Sequence, residues 1–168
     1  NYTGADKIKI IAHSLGVTAA RYYLKKYNAY DKVSLFVGIA GANHGYLNVA
    51  GTGDDEWTEE NIDMLCLHAS GDETPYGLSS NESIHEAPNT TSQVEWIVVH
   101  GNDEDYIVNF DLTTGLSEDG NVNSPLLEGA DVTYDVSGLY DTLDPTFGIH
   151  LSYLLEPKVM FDKIKAHF

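Results

Sequence analysis

Apolar runs alternate with helical patterns along much of the chain. Three segments, Lys7–Ala12, Val33–Ala40 and Val94–His100, are almost continuously apolar, as is typical of strands in a parallel sheet whose two faces are both covered. A fourth segment, Asp131–Val136, alternates apolar and polar residues, which predicts an edge strand with one face toward solvent. The pattern therefore predicts three buried strands and one edge strand.

The segments between the strands carry helical spacing. From Leu15 onward, Val17, Ala20, Leu24 and Tyr27 follow at intervals of three, four and three residues, which predicts one apolar face of a helix.

Two further helices are predicted. One covers Thr58–Leu67, and the last one begins at Pro157, where a missing backbone N–H costs nothing. Alternating strands and helices indicate an α/β fold with a parallel sheet. We expect a single domain over residues 1–168.

Charge and composition narrow the possible partners. The 168 residues include 9 Lys and Arg against 26 Asp and Glu, a formal net charge of −17, which disfavours nucleic acid and anionic membrane surfaces. No apolar run reaches the ~18–20 residues of a membrane span, so we expect no membrane insertion. The single cysteine, Cys66, excludes an internal disulfide framework and a Cys-rich zinc site.

The first strand-to-helix junction, Ala12–Gly16 (AHSLG), is the most informative segment. A serine in a tight turn between an apolar strand and an amphipathic helix, with small residues two before and two after it, has the pattern of a nucleophile elbow. Larger side chains at residues 12 and 16 are expected to collide with the neighbouring strand and helix. The alternative is an ordinary N-cap serine at the start of a helix.

A nucleophilic serine needs a base, and the base needs an orienting carboxylate. The segment after the third strand carries Asp103, Glu104 and Asp105, and His150 follows the last strand. The order serine, acid, histidine is that of α/β-hydrolases.

At these motifs the chain resembles a known family. AHSLG is similar to the elbow of class 2 lipases and of small Bacillus-type lipases, and Asp105–Val108 is similar to the stretch that contains their triad acid. Gly41–Gly45 and Ser70–Pro75 resemble class 2 lipases and a related branch of extracellular polyhydroxyalkanoate depolymerases.

The resemblance implies hydrolysis of carboxylic esters through an acyl-enzyme, with Ser14 as nucleophile, Asp105 as acid and His150 as base. Asp103 and Glu104 remain alternative acids. The backbone N–H of Leu15 would supply one half of the oxyanion hole. No metal or cofactor is implied, and the expected partner is a hydrophobic ester. Polyhydroxyalkanoate depolymerisation is the alternative activity, and a catalytically silent binding module with the same fold is the alternative class.

The other histidines have weaker assignments. His13 and His44 are candidate substrate contacts, with packing beside the nucleophile and an ordinary loop histidine as the respective alternatives. His100 and His167 are expected to be structural. His68 and His85 match no metal-binding motif.

The N-terminal part of the chain departs from the family pattern. In this fold several strands precede the nucleophile strand, whereas six residues precede Lys7 here. We therefore expect the C-terminal half of an α/β-hydrolase, without its N-terminal strands or the second oxyanion donor. The first strand would be an exposed apolar edge, and this segment alone would be weakly active or inactive. The family further implies an extracellular location.

Overall fold

The computed structural model describes residues 4–41, 43, 94–108, 125–127 and 130–168. Its strands are β1 (Ile8–His13), β2 (Val33–Ile39), β3 (Glu95–His100) and β4 (Val132–Asp135). Its α-helices are α1 (Leu15–Lys26), α2 (Ser152–Leu155) and α3 (Pro157–Ile164). Short 3-10 helices cover Tyr30–Lys32, Asn102–Glu104 and Lys165–His167.

The four strands form one parallel sheet in the order β1-β2-β3-β4. Because neighbouring strands are parallel, all their carboxyl ends lie at the same edge of the sheet. Loops that follow these ends can therefore bring residues from distant parts of the chain together. The predicted α/β fold with a parallel sheet is confirmed.

Successive residues of the central strands pack into two separate cores. On one face, Phe36 and Trp96 contact a cluster that includes Val17 and Leu24 of α1. On the other face, a cluster joins residues of β2 and β3 to Tyr153 of α2 and to α3. Both faces of β2 and β3 are thus covered, which explains their uninterrupted apolar sequences.

The expectation that β1 is buried is wrong. Ile8 is 56% exposed and Ile11 is 50% exposed, because within the described part of the chain β1 pairs only with β2. The first strand is instead the exposed apolar edge that was the second expectation for this segment. Tyr27 also departs from prediction, since it follows the end of α1 and is 63% exposed.

The opposite edge strand and the last helix agree with prediction. In β4, Val132 and Tyr134 are partly buried whereas Thr133 and Asp135 are exposed. Helix α3 begins at Pro157. The short helix α2 was not predicted, because four residues are too few to show a period. None of the helices in the described ranges is long and apolar enough to cross a membrane.

Some predictions concern residues outside the described part of the chain. These are the helix Thr58–Leu67, Cys66, His44, His68, His85 and the motif Ser70–Pro75.

Candidate active site

Ser14 is the single residue between the end of β1 and the start of α1. Its φ is 53°, in the left-handed region that costs a residue with a side chain about 1–3 kcal/mol. The turn is held on both sides, since the Ser14 N–H donates to Ile39 O at 2.9 Å and the Val17 N–H donates to Ser14 O at 2.9 Å. A strained serine fixed at the carboxyl edge of the sheet has the backbone geometry that a nucleophile elbow would require, and its role as a nucleophile stays a prediction.

His150 bridges Ser14 and Asp105. Its Nε2 lies 3.0 Å from Ser14 Oγ, and its Nδ1 lies 3.0 Å from each carboxylate oxygen of Asp105. Because a carboxylate only accepts hydrogen bonds, Nδ1 carries the proton and Nε2 is left to accept from the serine hydroxyl. Asp105 is fully buried and His150 is 6% exposed, so the bond between them is shielded from water, whereas the bond between His150 and Ser14 is only partly buried.

The backbone that follows Asp105 orients its carboxylate. Oδ1 accepts hydrogen bonds from the N–H groups of Ile107 at 3.0 Å and Val108 at 2.8 Å. The two alternative acids do not contact His150. Asp103 is exposed, and the Glu104 carboxylate accepts a hydrogen bond from the Gly138 N–H at 2.7 Å. Of the three acids in this loop, the structure brings only Asp105 to His150.

The acid loop and the histidine loop are joined by their backbones. Asp105 and Gly148 form an isolated antiparallel bridge, and the Ile149 N–H donates to Glu104 O at 2.9 Å. Gly148 has a φ of 58°, and a Cβ there would overlap the carbonyl oxygen of Glu104. This close approach requires glycine.

Comparison with known proteins identifies the family. The family model described as Lipase (class 2) matches residues 1–117, which is well over half of the chain. The chain belongs to the class 2 lipase family. Membership makes it a lipase or esterase in the general sense, a hydrolase of esters. The matched region includes Ser14 and Asp105, and His150 lies beyond it. None of the curated proteins matches the chain.

The glycines near Ser14 in this lipase differ in how much space surrounds them. A Cβ on Gly16 would meet no heavy atom within 4 Å, so an alanine would fit there, and a collision of larger side chains at residues 12 and 16 stays a prediction. At Gly41 a Cβ would lie 2.6 Å from Cγ1 of Val17. Glycine is therefore required where α1 packs against the chain that follows β2.

Tyr153 interacts with Asp105 and was not anticipated from the sequence. It is fully buried, and its hydroxyl group is so close to Gly101 that a Cβ there would lie 2.5 Å from it. Burial, and next the charge of Asp105, raise the pKa of Tyr153 far above its usual range. The phenol therefore stays neutral beside the Asp105 carboxylate.

His13 packs against the histidine of the site. Its ring centroid is 4.7 Å from that of His150, and its Nε2 lies 3.0 Å from the backbone oxygen of His150. Burial lowers the pKa of His13, and the neighbouring His150 lowers it further. These contacts correspond to the packing alternative, and a contact of His13 with substrate stays a prediction.

The remaining described histidines, His100 and His167, lie in structural contacts. His100 is buried at the end of β3, and burial lowers its pKa. His167 contacts Glu95 through Nδ1 at 2.5 Å and the Tyr134 hydroxyl through Nε2 at 3.0 Å. It thereby joins the last 3-10 helix to β3 and β4.

A buried arginine fastens the loop after β2. Arg21 is 7% exposed, and its Nη1 donates to both the backbone oxygen and Oδ1 of Asn43, each at 3.0 Å. The Asn43 amide in turn donates to Pro125 O at 3.0 Å. A basic residue in an amphipathic helix normally lies on the solvated face, so this contact could not be predicted from the sequence.

The elbow also supplies a donor for negative charge. Leu15 is the first residue of α1, so its N–H has no intrahelical acceptor and lies at the positive end of the helix dipole. Within the described residues, no group of three or more His, Cys, Asp or Glu could hold a metal ion.

Proposed function

We propose that this class 2 lipase hydrolyses hydrophobic carboxylic esters with Ser14 as nucleophile, His150 as base and Asp105 as the orienting acid. The observation that carries the proposal is the pair of contacts made by one imidazole, with Ser14 Oγ 3.0 Å from Nε2 and Asp105 3.0 Å from Nδ1. A serine hydroxyl becomes a nucleophile at neutral pH when such a base takes its proton.

The proposed reaction has two stages, acylation of Ser14 and hydrolysis of the acyl-enzyme. Ser14 Oγ attacks the ester carbonyl while its proton moves to His150 Nε2, and the new oxyanion accepts a hydrogen bond from the Leu15 N–H. The tetrahedral intermediate collapses to an acyl-enzyme, and the leaving alcohol takes the proton from Nε2. Water then attacks the acyl group and loses a proton to Nε2. As the second tetrahedral intermediate collapses, Nε2 gives that proton to Ser14 Oγ, which releases the carboxylic acid and free Ser14. Asp105 stabilises the imidazolium in both stages.

Exposed apolar side chains support a hydrophobic substrate. Leu15 follows the nucleophile and is 47% exposed, and Leu151 follows the base and is 37% exposed. Phe147, in the same loop as the base, is 38% exposed. A net charge of −17 repels anionic molecules, so neutral esters with apolar acyl chains are the expected substrates.

The test is covalent labelling with a fluorophosphonate followed by peptide mass spectrometry. Attack by an activated serine forms an Oγ–P bond and releases fluoride, so wild-type protein is expected to carry the adduct on Ser14. His150→Ala should lose the adduct, and Ser14→Ala should carry none. Asp103→Asn is the matched control, because that acid is exposed and outside the hydrogen-bonded chain, and it should label as wild type does.

Hydrolysis of p-nitrophenyl esters by the same four proteins completes the test. The proteins are made as the complete natural chain, and absence of both labelling and turnover in that folded protein would contradict the proposal and favour the catalytically silent binding module. Labelling that persists in His150→Ala would contradict the assignment of the base.

A further inference from the structure

One hydrogen bond joins the side chain of His13, the residue before Ser14, to the backbone of His150. His13 Nε2 lies 3.0 Å from His150 O. A carbonyl oxygen only accepts, so Nε2 of His13 must carry a proton and donate. The two residues are 137 positions apart in the sequence, and this contact fixes the elbow strand to the histidine loop.

The His150 carbonyl is available for this bond because the chain around it is irregular. A regular helix would direct the Leu154 N–H to His150 O, whereas that N–H donates to Leu151 O at 3.0 Å. His150 thus precedes α2 rather than lying within it. Its side chain is carried by a loop, and a loop needs outside contacts to keep a catalytic geometry.

Ring packing adds to the hydrogen bond. The rings of His13 and His150 are 4.7 Å apart at an interplanar angle of 45°, and the Tyr153 ring lies 5.7 Å from His13 and 6.4 Å from His150. The imidazole of His150 is therefore confined by two rings as well as by Ser14 and Asp105.

We propose that His13 is a positioning residue for His150. It holds the backbone and the ring of His150 so that Nε2 of His150 stays directed at Ser14 Oγ during proton transfer. The inference rests on the proposed function, because it assigns His13 a part in the same reaction. His13 touches neither the serine oxygen nor the acid in this role; it acts through His150.

The charge state of His13 suits this task. The groups that face it are His150, Asp105 and the Tyr153 ring. Burial keeps its pKa below the ordinary histidine value, so His13 is neutral near pH 7 while His150 takes up the serine proton. A neutral neighbour imposes no repulsion on the imidazolium, whereas a second positive charge beside it would disfavour proton uptake.

Two substitutions of matched length separate the hydrogen bond from packing. His13→Gln keeps an N–H donor at nearly the reach of Nε2, and His13→Met has the same length without a donor. We expect His13→Met to lower kcat about tenfold with KM within about twofold, since a displaced base weakens only the transition state. His13→Gln should recover kcat to within about threefold of wild type. His167→Gln, which removes a histidine remote from Ser14, is the control and should change kcat less than about twofold.

Rates of Ser14 labelling by a fluorophosphonate are measured on the same proteins, with thermal unfolding as the check on folding. If His13→Met does not fold, His13→Phe keeps an aromatic ring without the donor and replaces it. Equal kcat for wild type and the variant without a donor would overturn the inference, as would equal losses in Gln and Met variants. A rise in KM at unchanged kcat would show a substrate contact instead. If wild-type Ser14 is not labelled at all, the proposed function itself fails and the role of His13 fails with it.

Discussion

Asp105 and Gly148 lie side by side as an antiparallel bridge, although they belong to loops that follow different strands. The bridge aligns the acid loop with the histidine loop two residues before His150 itself. The backbone therefore sets much of the distance between acid and base, before either side chain adopts its rotamer.

Gly148→Ala should destroy this alignment. The new Cβ would overlap Glu104 O, and the φ of 58° is unfavourable for alanine. We expect a loss of at least about 3 kcal/mol in the free energy of unfolding, measured in urea, together with loss of Ser14 labelling. Gly138→Ala is the matched control, because its φ is 71° but a Cβ there meets nothing within 4 Å. It should cost only about 1 kcal/mol, and equal losses in both variants would contradict the role given to the bridge.

Asp105→Asn should lower kcat by about 10³- to 10⁴-fold, because an amide cannot hold His150 in the tautomer with its proton on Nδ1. KM should change little, since Asp105 is buried and does not face substrate. Asp103→Asn should stay within about twofold of wild type. Steady-state kinetics with a soluble ester decides between the two acids, and a larger effect at Asp103 would reverse the assignment.

Ser14→Gly is expected to be more stable than Ser14→Ala. Both remove the hydroxyl and abolish turnover, but only glycine accepts the φ of 53° without strain. The difference in the free energy of unfolding should be about 1 kcal/mol in favour of glycine. Chemical denaturation of the two variants measures it, and an alanine variant of equal or greater stability would argue against stored strain at the elbow.

Stability should fall as the medium becomes acidic. Burial lowers the pKa of both His13 and His100 below 6.5, with Asp135 partly opposing the shift of His100. Below about pH 6.5 the unfolded chain then binds more protons than the folded protein, so the free energy of unfolding decreases with falling pH until the folded-state pKa values are passed.

Urea unfolding of wild type and His13→Gln between about pH 5 and pH 8 measures the contribution of His13. The variant should show a shallower decrease below about pH 6.5, and the two curves should run parallel above it. Parallel curves over the whole range would contradict a lowered pKa at His13.

The strands and the order of the site residues could be predicted from local sequence, because both depend on short patterns. The apolar runs of β2 and β3 reflect burial on two faces, and Ser14, Asp105 and His150 each follow a strand end that topology brings to one edge. The choice of Asp105 over Asp103 depended on the resemblance to class 2 lipases. The two residues are close in sequence, and Asp103 lies within the 3-10 helix Asn102–Glu104 whereas Asp105 follows it.

Contacts between distant segments could not be predicted in this way. The burial of Arg21 depends on Asn43, which comes from another loop. The demand for glycine at residue 148 comes from the carbonyl of Glu104. Periodicity reports which face of an element is apolar, but it does not report what packs against that face.

The hydrogen bond between His150 and Ser14 spans 136 residues of chain, which has a consequence for biosynthesis. Ser14 leaves the ribosome before the loop that contains His150, which emerges only after all four described strands have been made. Until Ile149 of that loop bonds to Glu104, Ser14 has no base beside it and is expected to react as an ordinary alcohol. Under the proposed mechanism, a nascent chain therefore has no reactive hydroxyl between the synthesis of the elbow and that of the loop with His150, and reactivity arises only when that loop packs beside Ser14.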